Sequence, residues 1–257
     1  GIYIALMAKR HMIHMSKLLK VPDLGKVLEL LKGGLALQLR LFAFNLTFIM
    51  VTRITQSLDS TGVAAAAHSL ALQTFQVGGI VLLALSVVAQ TVVPGALVET
   101  YDESQKKMVG GPAHARSTVR RLMMWGFILG TSLGAFQFLV TPFMLKASPL
   151  AEVREAARVP AILSSFYQVI NGLVFIGEGV MVGCGNFMQL SLSTAAAAVG
   201  CIATIKALAP KFGLTGVWLG FGVFNFIRLL CVWLHMSYTG PLASVKRGNA
   251  KETGRLQ

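Results

Sequence analysis

The residue in this sequence best placed to do chemistry is Glu178, a carboxylate within a long apolar run. It is the one charged residue between positions 159 and 205. A charge at bilayer depth costs ~2.5–3.5 kcal/mol on insertion scales, so an intramembrane carboxylate is a functional candidate by default. Such a group can exchange a proton. The sequence leaves open the alternative that Glu178 only reaches water at the nearby turn 183–186.

Three polar side chains share the helical face of Glu178. At 3.6 residues per turn, Ser164, Gln168 and Asn171 lie within roughly 80° of it on a helical wheel. A polar face on an apolar helix should meet protein or water rather than lipid. We therefore predict that Gln168 and Asn171 face water or neighbouring helices on the same side as Glu178.

Two other predicted helices repeat this pattern. Ser69, Gln73 and Gln76 lie within roughly 60° of one another on the wheel. Asn45 follows Gln38 by seven residues and so returns to nearly the same face. Gln73, Gln76 and Asn45 should therefore also face water or protein rather than lipid. Hydrogen bonding to neighbouring helices is the favoured interpretation of these two faces, and the lining of a water-filled cavity is the alternative.

Two arginines, Arg40 and Arg228, also lie inside apolar stretches. Arg40 is about two turns from one end of its stretch, so its long stem can carry the charge to the nearer membrane surface. We expect Arg40 to snorkel in this way. Pairing with a carboxylate is the alternative.

One sequence pattern resembles a catalytic motif but lacks the context that catalysis needs. Gly130-Thr131-Ser132-Leu133-Gly134 has the GxSxG form of hydrolases. That motif requires a strand–turn–helix elbow and a His–acid pair, whereas here it lies inside an apolar run. Gly126, Gly130 and Gly134 are instead spaced for close helix packing. We therefore predict that the protein is not an enzyme.

Metal and cofactor chemistry is not indicated either. His11 and His14 stand in a basic segment without cysteines or paired acids at ligand spacing. Cys184, Cys201 and Cys231 are far apart and lie in or beside apolar runs, as small core residues do. We predict no metal and no cofactor.

The elements that carry these residues must be membrane-spanning helices. Of the 257 residues, 54% are hydrophobic and 13% are charged, about half of the ~25% charged residues typical of soluble domains. The mean hydropathy is +0.67. A backbone in lipid must satisfy its own hydrogen bonds, which favours helices. We predict an all-α, polytopic membrane protein with six transmembrane helices, at 33–56, 62–92, 118–143, 159–182, 187–207 and 214–237.

Basic residues are concentrated in three segments. The net charge is +13, which in a nucleic-acid-binding protein would mark a contact surface. In a membrane protein, the cytoplasmic loops collect Lys and Arg. Segments 9–32, 106–121 and 242–257 hold fifteen of them, against six in the loops of the other side. We therefore predict that these segments are cytoplasmic or stromal, and that no nucleic acid binds.

The chain divides into three parts on this interpretation. Residues 1–32 form the end of a preceding span and a basic cytoplasmic or stromal loop. Residues 33–237 form a six-span transmembrane lobe, and residues 238–257 form a basic tail. The chain begins with Gly1 rather than Met, so we expect it to be part of a longer protein.

Several short motifs recur in a recognisable order along the chain. They are the segments 34–40, 65–73, 168–172, 178–179 and 213–218. Together they resemble the carboxy-terminal half of the multidrug and toxic compound extrusion (MATE) transporters. The similarity covers about residues 5–240 and is greatest to the DinF-like branch, particularly its plastid members.

The resemblance implies a cation-coupled antiporter of the multidrug-efflux, xenobiotic-exporting kind. It implies twelve spans in two lobes, this chain being the second, with alternating access to a substrate bound between the lobes. Glu178 would bind the coupling ion. The cavity would be lined by Asn171, Gln168, Asn45, Gln73 and Gln76. The expected partners are a small organic substrate, a proton or sodium ion, the lipid bilayer and the missing amino-terminal lobe.

Two departures from the family pattern stand near the predicted site. Many relatives have Pro where Val169 stands and Asp where Asn186 stands, and an amide cannot carry a proton. The plastid similarity suggests a chloroplast envelope membrane, with the plasma membrane as the alternative, and small organic acids as substrates. The alternative functions are a lipid or polymer flippase of related architecture and a structural membrane protein.

Overall fold

Six long helices form most of the described chain. The computed structural model describes residues 24–102 and 107–239. The helices are α1 (Leu24–Gln56), α2 (Val63–Leu97), α3 (Gly111–Leu145), α4 (Ala151–Gly183), α5 (Phe187–Phe212) and α6 (Leu214–Leu234). A π-helical turn, His235–Thr239, continues α6. All six helices are long and apolar enough to cross a membrane, so the predicted all-α fold with six transmembrane helices is confirmed.

The helix boundaries agree with the sequence at one turn and differ at several helix starts. The predicted break at 183–186 is confirmed, because α4 ends at Gly183 and α5 begins at Phe187. By contrast, α3 begins at Gly111 rather than at 118, and α4 begins at Ala151 rather than at 159. Charge-free runs detect only the ~20 residues that lie within hydrocarbon. Helical hydrogen bonding continues into the charged flanks beyond them.

Much of the predicted division into three parts lies outside the described residues. The predicted loop 1–32 is described only from Leu24 onward, and that part is already helical in α1. His11, His14 and the basic tail from residue 240 onward are outside the described ranges. The proposed division therefore stays a prediction.

A short hairpin stands where the sequence indicates a plain polar loop. Strand β1 (Thr100–Asp102) pairs antiparallel with β2 (Lys107–Val109) just before α3. Gly110 has a φ of 113°, and a Cβ atom there would collide with the Val98 carbonyl oxygen. The turn into α3 therefore needs glycine. Strands of three residues carry too little apolar periodicity to be found from the sequence.

Helix α4 is central to the lobe and is the most buried of the six. It packs against α2, α3 and α6. Small residues admit these neighbours, since Gly172 faces Gly126 of α3 and Gly179 faces Ser86 of α2. The arrangement puts Glu178 in the interior of the lobe, away from lipid.

Helix α3 docks on α4 through the glycine stripe found in the sequence. The three glycines of segment 126–134 are buried, and a Cβ atom on Gly130 would lie 2.7 Å from the Gln168 carbonyl oxygen. The interpretation as a close-packing motif is confirmed. Ser132 is exposed and donates a hydrogen bond to the Ile128 carbonyl at 2.9 Å, so it stands on a regular helix and forms no nucleophile elbow.

The largest apolar cluster joins several helices around Trp218 of α6. The indole stacks on Tyr167 of α4 and meets Phe75 of α2 edge-on. Phe221 lies one turn further along α6 and packs against Phe48 of α1. The Tyr167 hydroxyl donates to the Trp218 carbonyl at 2.9 Å. This cluster fixes α1, α2 and α4 around α6 and so builds the wall of the site.

Candidate transport site

Three charged side chains from three helices meet inside the lobe. Arg228 of α6 donates to Glu178 of α4 from Nε to Oε1 at 2.7 Å and from Nη2 to Oε2 at 2.8 Å. Arg40 of α1 donates from Nη2 to Oε2 of the same carboxylate at 2.6 Å. Glu178 and Arg228 are only 4% and 3% exposed. We refer to Arg40, Glu178 and Arg228 as the ion triad.

The helices hold both arginines of the ion triad in place. Asn225 lies one turn before Arg228 on α6, and its Oδ1 accepts a hydrogen bond from Arg228 Nη1 at 3.2 Å. That bond fixes the plane of the guanidinium. Helix α1 is held by α5, where Ser191 donates to the Ala36 carbonyl, one turn before Arg40. Both arginines are therefore aimed at α4 by contacts outside the carboxylate itself.

Aromatic rings surround the Arg228 guanidinium. Its central carbon lies 5.2 Å from the ring centre of Phe224 and 5.8 Å from those of Phe44 and Phe175. A ring face attracts a cation through its quadrupole, and more strongly where water is excluded. The rings thus help to hold a charged group at depth.

The ion triad carries one positive charge in excess. Two guanidinium groups face one carboxylate, and Glu178 is the sole buried carboxylate among the side chains that the structure describes. Removing one partner of a buried ion pair costs about 3–5 kcal/mol, because a charge is left uncompensated. Neutralising Glu178 in place would leave two guanidinium groups beside each other.

The structure corrects the expectation that Arg40 snorkels to the membrane surface. Arg40 pairs with Glu178, and its side chain is 24% exposed. Attraction between opposite charges grows as the dielectric constant falls, so a carboxylate within reach in the interior outweighs the distant water layer. The same contact removes the alternative for Glu178, which is buried rather than hydrated at the turn 183–186.

A cavity of about 280 Å³ lies beside the ion triad. Its polar lining comes from Arg228, Asn225, Asn171 and Gln76. The aromatic part of the wall consists of Phe44, Phe48, Phe75, Phe175, Phe221 and Phe224. Larger cavities, including one of about 750 Å³ next to Asp59, are lined by other residues and do not reach the ion triad.

Two of the five predicted cavity residues, Asn171 and Gln76, line this cavity. The Asn171 side chain is buried, and its Oδ1 has no hydrogen-bond partner. Gln73 and Asn45 are exposed and bond within their own helices, to Ser69 Oγ and to the Leu41 carbonyl respectively. Contact of any of the predicted residues with a substrate stays a prediction.

Gln168, the fifth predicted residue, belongs to a buried amide network rather than to the cavity wall. Its Nε2 donates to the Phe75 carbonyl at 2.8 Å and to Gln137 Oε1 at 3.0 Å. Gln137 donates in turn to Ser164 Oγ at 2.5 Å. Gly78 leaves room for the Gln168 side chain. The network ties α2, α3 and α4 together behind the cavity.

Sequence reasoning does not identify Arg228 as the partner of Glu178 or Gln137 as the partner of Gln168. Arg228 is the one charge between positions 212 and 245, just as Glu178 is in its own run. Two lone opposite charges in apolar spans are expected to pair, so this signal is present in the sequence. Gln137 and the phenylalanines of the cavity wall give no such signal. The sequence does not distinguish these uncharged side chains from ones that face lipid, and only the packing of the helices does so.

The described residues contain no group of three His, Cys, Asp or Glu side chains that could hold a metal ion. Cys184, Cys201 and Cys231 are free thiols. Cys201 is buried in the core cluster around Trp218, in keeping with a small apolar core residue.

Two curated plant proteins are similar to this chain. It is 28% identical over 221 residues to Protein DETOXIFICATION 44, chloroplastic, of Arabidopsis thaliana, covering 84% of this chain and 40% of that protein. It is 25% identical over 215 residues to Protein DETOXIFICATION 43 of the same plant, covering 82% of this chain and 38% of that protein. The chain thus spans about two fifths of the length of these relatives. No protein-family model matches the chain.

A solved transporter structure shares the fold. The chain matches a MOP superfamily transporter from Pyrococcus furiosus with a TM-score of 0.64 and 14% identity, covering 82% of this chain and 44% of that chain. That protein is described as having a binding pocket of reverse polarity, which suggests a different function for it. At this identity the likeness shows the fold, which is that of about half of such a transporter.

The sequence resemblance to the MATE transporters is thereby confirmed. The chain is a multi-pass membrane protein with the fold of a transporter half. The solved neighbour is described as a transporter, and the prediction that this chain is not an enzyme agrees with that description.

Proposed function

We propose that this chain is one lobe of a cation-coupled antiporter that exports small organic compounds by alternating access. One observation carries the proposal: a buried ion triad stands at the wall of an aromatic cavity, and Arg228 belongs to both. Charges inside a membrane protein are costly and mark ion or substrate pathways. The similarity to DETOXIFICATION proteins and to a MOP superfamily transporter supports transport.

The ion triad provides a physical basis for coupling. A proton or sodium ion that occupies the Glu178 carboxylate competes with the two guanidinium groups. Cation binding therefore favours a state in which α1 or α6 has moved away from α4. A ligand that binds one state better shifts the equilibrium, and a second ligand that prefers the other state is affected reciprocally. Glu178 is the proposed coupling-ion residue.

The charge of the site favours organic anions as substrates. The excess positive charge of the ion triad reaches the cavity at Arg228, where a carboxylate can pair with it. The phenylalanine rings fit an apolar or aromatic body, and Asn171 and Gln76 offer amides for hydrogen bonds. The Pyrococcus furiosus transporter, described as having a pocket of reverse polarity, supports the idea that pocket charge differs within this superfamily.

We place the second lobe on the open side of the cavity. Gln76 and Ile80 at this side are exposed in the described lobe, and a large apolar surface needs a cover of protein or lipid. This chain covers only 40% of DETOXIFICATION 44. The rest of that relative is long enough for another lobe. We also propose the chloroplast envelope as the location, since DETOXIFICATION 44 is named chloroplastic. Fractionation of plastids that carry the tagged protein checks the location.

Dye export by the complete protein in sealed vesicles tests the proposal. The vesicles are loaded with carboxyfluorescein, an aromatic anion, or with ethidium, an aromatic cation, and are then given a gradient of protons or of sodium ions. We expect the protein to speed release of the anionic dye. A gradient that drives protons or sodium ions into the vesicles, opposite to the movement of the dye, should speed the release further. Vesicles without protein measure passive leak.

Each outcome of this experiment decides a different part of the proposal. Equal release with and without protein under every gradient contradicts export. Release that ignores both gradients contradicts cation coupling. Preference for ethidium contradicts the proposed anionic substrate but supports export.

A further inference from the structure

His68 of α2 is a buried titratable side chain that the proposed coupling does not use. It is 4% exposed, and neither its Nδ1 nor its Nε2 has a hydrogen-bond partner. The imidazole stacks on Phe221 with the ring centres 6.0 Å apart, and it lies 5.9 Å from Trp218. The Trp218 Nε1 is likewise buried without a partner. Two polar side chains are thus left unsatisfied in one aromatic cluster.

No charged side chain in residues 24–102 and 107–239 forms a hydrogen bond or ion pair with this imidazole. Tyr167 of α4 and Cys201 of α5 are the titratable groups among the buried residues of the cluster that contains Trp218 and Phe221. Arg53 is exposed, the Tyr167 hydroxyl donates to the Trp218 carbonyl, and Arg228 is held by Glu178. A charged imidazolium donates from both nitrogens, and neither nitrogen of His68 has a hydrogen-bond partner in this arrangement.

The unsatisfied imidazole has no explanation in packing alone. Leaving a buried polar group without a partner costs about 1–3 kcal/mol, and each such group in a native structure calls for a reason. A phenyl ring would fill an aromatic cluster without that cost, and phenylalanine forms much of the rest of this one. The cost is offset if another state of the transport cycle satisfies the imidazole.

Because both arginines of the ion triad are bonded to Glu178, a proton binds more easily at a second titratable group, His68. A proton that binds Glu178 removes the negative charge to which two arginines make three hydrogen bonds. A proton that binds His68 disrupts no hydrogen bond, and it needs only that water reaches the ring. Phe221 stacks on His68 and also lines the cavity. A shift of Phe221 therefore opens a path from the cavity to the imidazole.

We infer that His68 is a proton-binding site of the transport cycle, occupied when the cluster of His68, Trp218 and Phe221 opens to the cavity. The inference rests on the proposed cation-coupled export and assigns the proton as a coupling ion. A hydronium ion gives its proton to the free nitrogen lone pair and leaves as water. The imidazolium then donates to water or to a bound anion. After the lobes have switched, the imidazolium gives its proton to water on the other side, and the cluster then closes over the neutral ring.

Trp218 reports on the charge of its neighbour, because a protonated imidazole quenches the fluorescence of an adjacent indole. The experiment uses the complete protein in lipid vesicles, with every tryptophan except Trp218 replaced by Phe. Emission and its quenching by acrylamide are followed between about pH 8 and pH 5, where an ordinary imidazole changes charge. On acidification we expect emission to fall and acrylamide quenching to rise.

Variants at two histidines assign the response. His68→Phe keeps an aromatic ring, and His68→Gln keeps a polar side chain in case the phenyl ring disturbs packing. His114→Gln is the matched control, because His114 is exposed near the start of α3. We expect the acid response to vanish in both His68 variants and to persist in the control. A flat response in the parent protein, or one that survives in either His68 variant, overturns the inference.

Dye release connects this titration to transport. In the vesicles described above, we expect the His68 variants to lose the acceleration by a proton gradient while they keep gradient-independent release. Undiminished acceleration in His68→Phe overturns the role in coupling. Because the fluorescence titration needs no substrate, failure of dye export would count against the proposed function and leave the titration of His68 to be judged separately.

Discussion

Arg228 and Arg40 contact the same carboxylate in different ways. Arg228 presents two nitrogens to the two oxygens of Glu178 and a third to Asn225. Arg40 makes a single end-on hydrogen bond to Glu178. A lysine ammonium is a point charge and cannot reproduce a planar bidentate fork, but it can replace a single end-on contact.

We therefore expect Arg228→Lys to be much more damaging than Arg40→Lys. Arg228→Lys loses at least one hydrogen bond to a charged group, each worth about 1.5–3 kcal/mol, and should lose most gradient-driven dye release. Arg40→Lys should keep most of it. Dye release and thermal unfolding, measured on the same preparations, compare the two variants. Equal losses in both would contradict the different roles given to the two arginines.

At the residue scale, the sequence predicts which groups are unusual better than it predicts their partners. Glu178 is recognisable because it is a lone charge in an apolar run. The partner of Arg40 lies 138 positions away, so only helix packing brings the two together. Asn171 and Gln168 share a helical face, yet one meets the cavity and the other meets Gln137, because α2, α3 and α6 cover different parts of α4.

The contact between α3 and α4 is the element-scale feature most sensitive to substitution. Gly130→Ala places a Cβ atom 2.7 Å from the Gln168 carbonyl oxygen, and that backbone cannot move aside without disturbing α4. Overpacking of this kind typically costs about 1–3 kcal/mol. We expect a lower temperature of thermal unfolding in detergent.

Ser132→Ala is the matched control for Gly130→Ala. Ser132 lies on the same helix, but it is exposed and bonds only to the Ile128 carbonyl of its own helix. Its substitution should leave the unfolding temperature nearly unchanged. Similar stability for Gly130→Ala and the parent protein would show that α3 and α4 do not pack as described.

At the element scale, the glycine stripe and the break at 183–186 are both readable from the sequence. Each depends on a residue type with a distinct local property. The starts of α3 and α4 cannot be predicted in this way, because hydropathy shows which residues lie in lipid and not where a helix begins. The hairpin of β1 and β2 is too short to leave a pattern.

At the scale of the whole molecule, the Lys/Arg bias predicts the orientation in the membrane. Six antiparallel helices put the hairpin of β1 and β2 on the side opposite to the turn between α3 and α4. Lys107→Cys should therefore react with an impermeant thiol reagent only from the cytoplasmic or stromal side. Ala147→Cys, after α3, should react only from the other side. The test needs a background without native cysteines, and the reversed pattern would contradict the orientation.

The number and type of elements follow from composition, while their arrangement does not. Apolar runs of about 20 residues predict helices, whichever neighbours those helices meet. That α4 is central, that α5 bridges α1 and α6, and that the cavity has an aromatic wall all depend on side-chain packing between segments far apart in sequence. The match to a MOP superfamily transporter extends over 82% of the chain and supports this arrangement.

The central claim is that the Glu178 carboxylate couples a cation to export, and Glu178→Gln tests it most directly. The amide keeps the shape of the side chain but removes the charge that binds both arginines. We expect the variant to insert in the membrane with lowered thermal stability, since a buried pair has lost one partner.

The measurement is dye release from vesicles that contain equal amounts of the parent protein, Glu178→Gln or Glu178→Asp, with and without a cation gradient. We predict that Glu178→Gln loses the acceleration by the gradient and keeps gradient-independent release, whereas Glu178→Asp keeps part of the acceleration. Undiminished acceleration in Glu178→Gln would contradict the claim and show that the coupling group lies elsewhere.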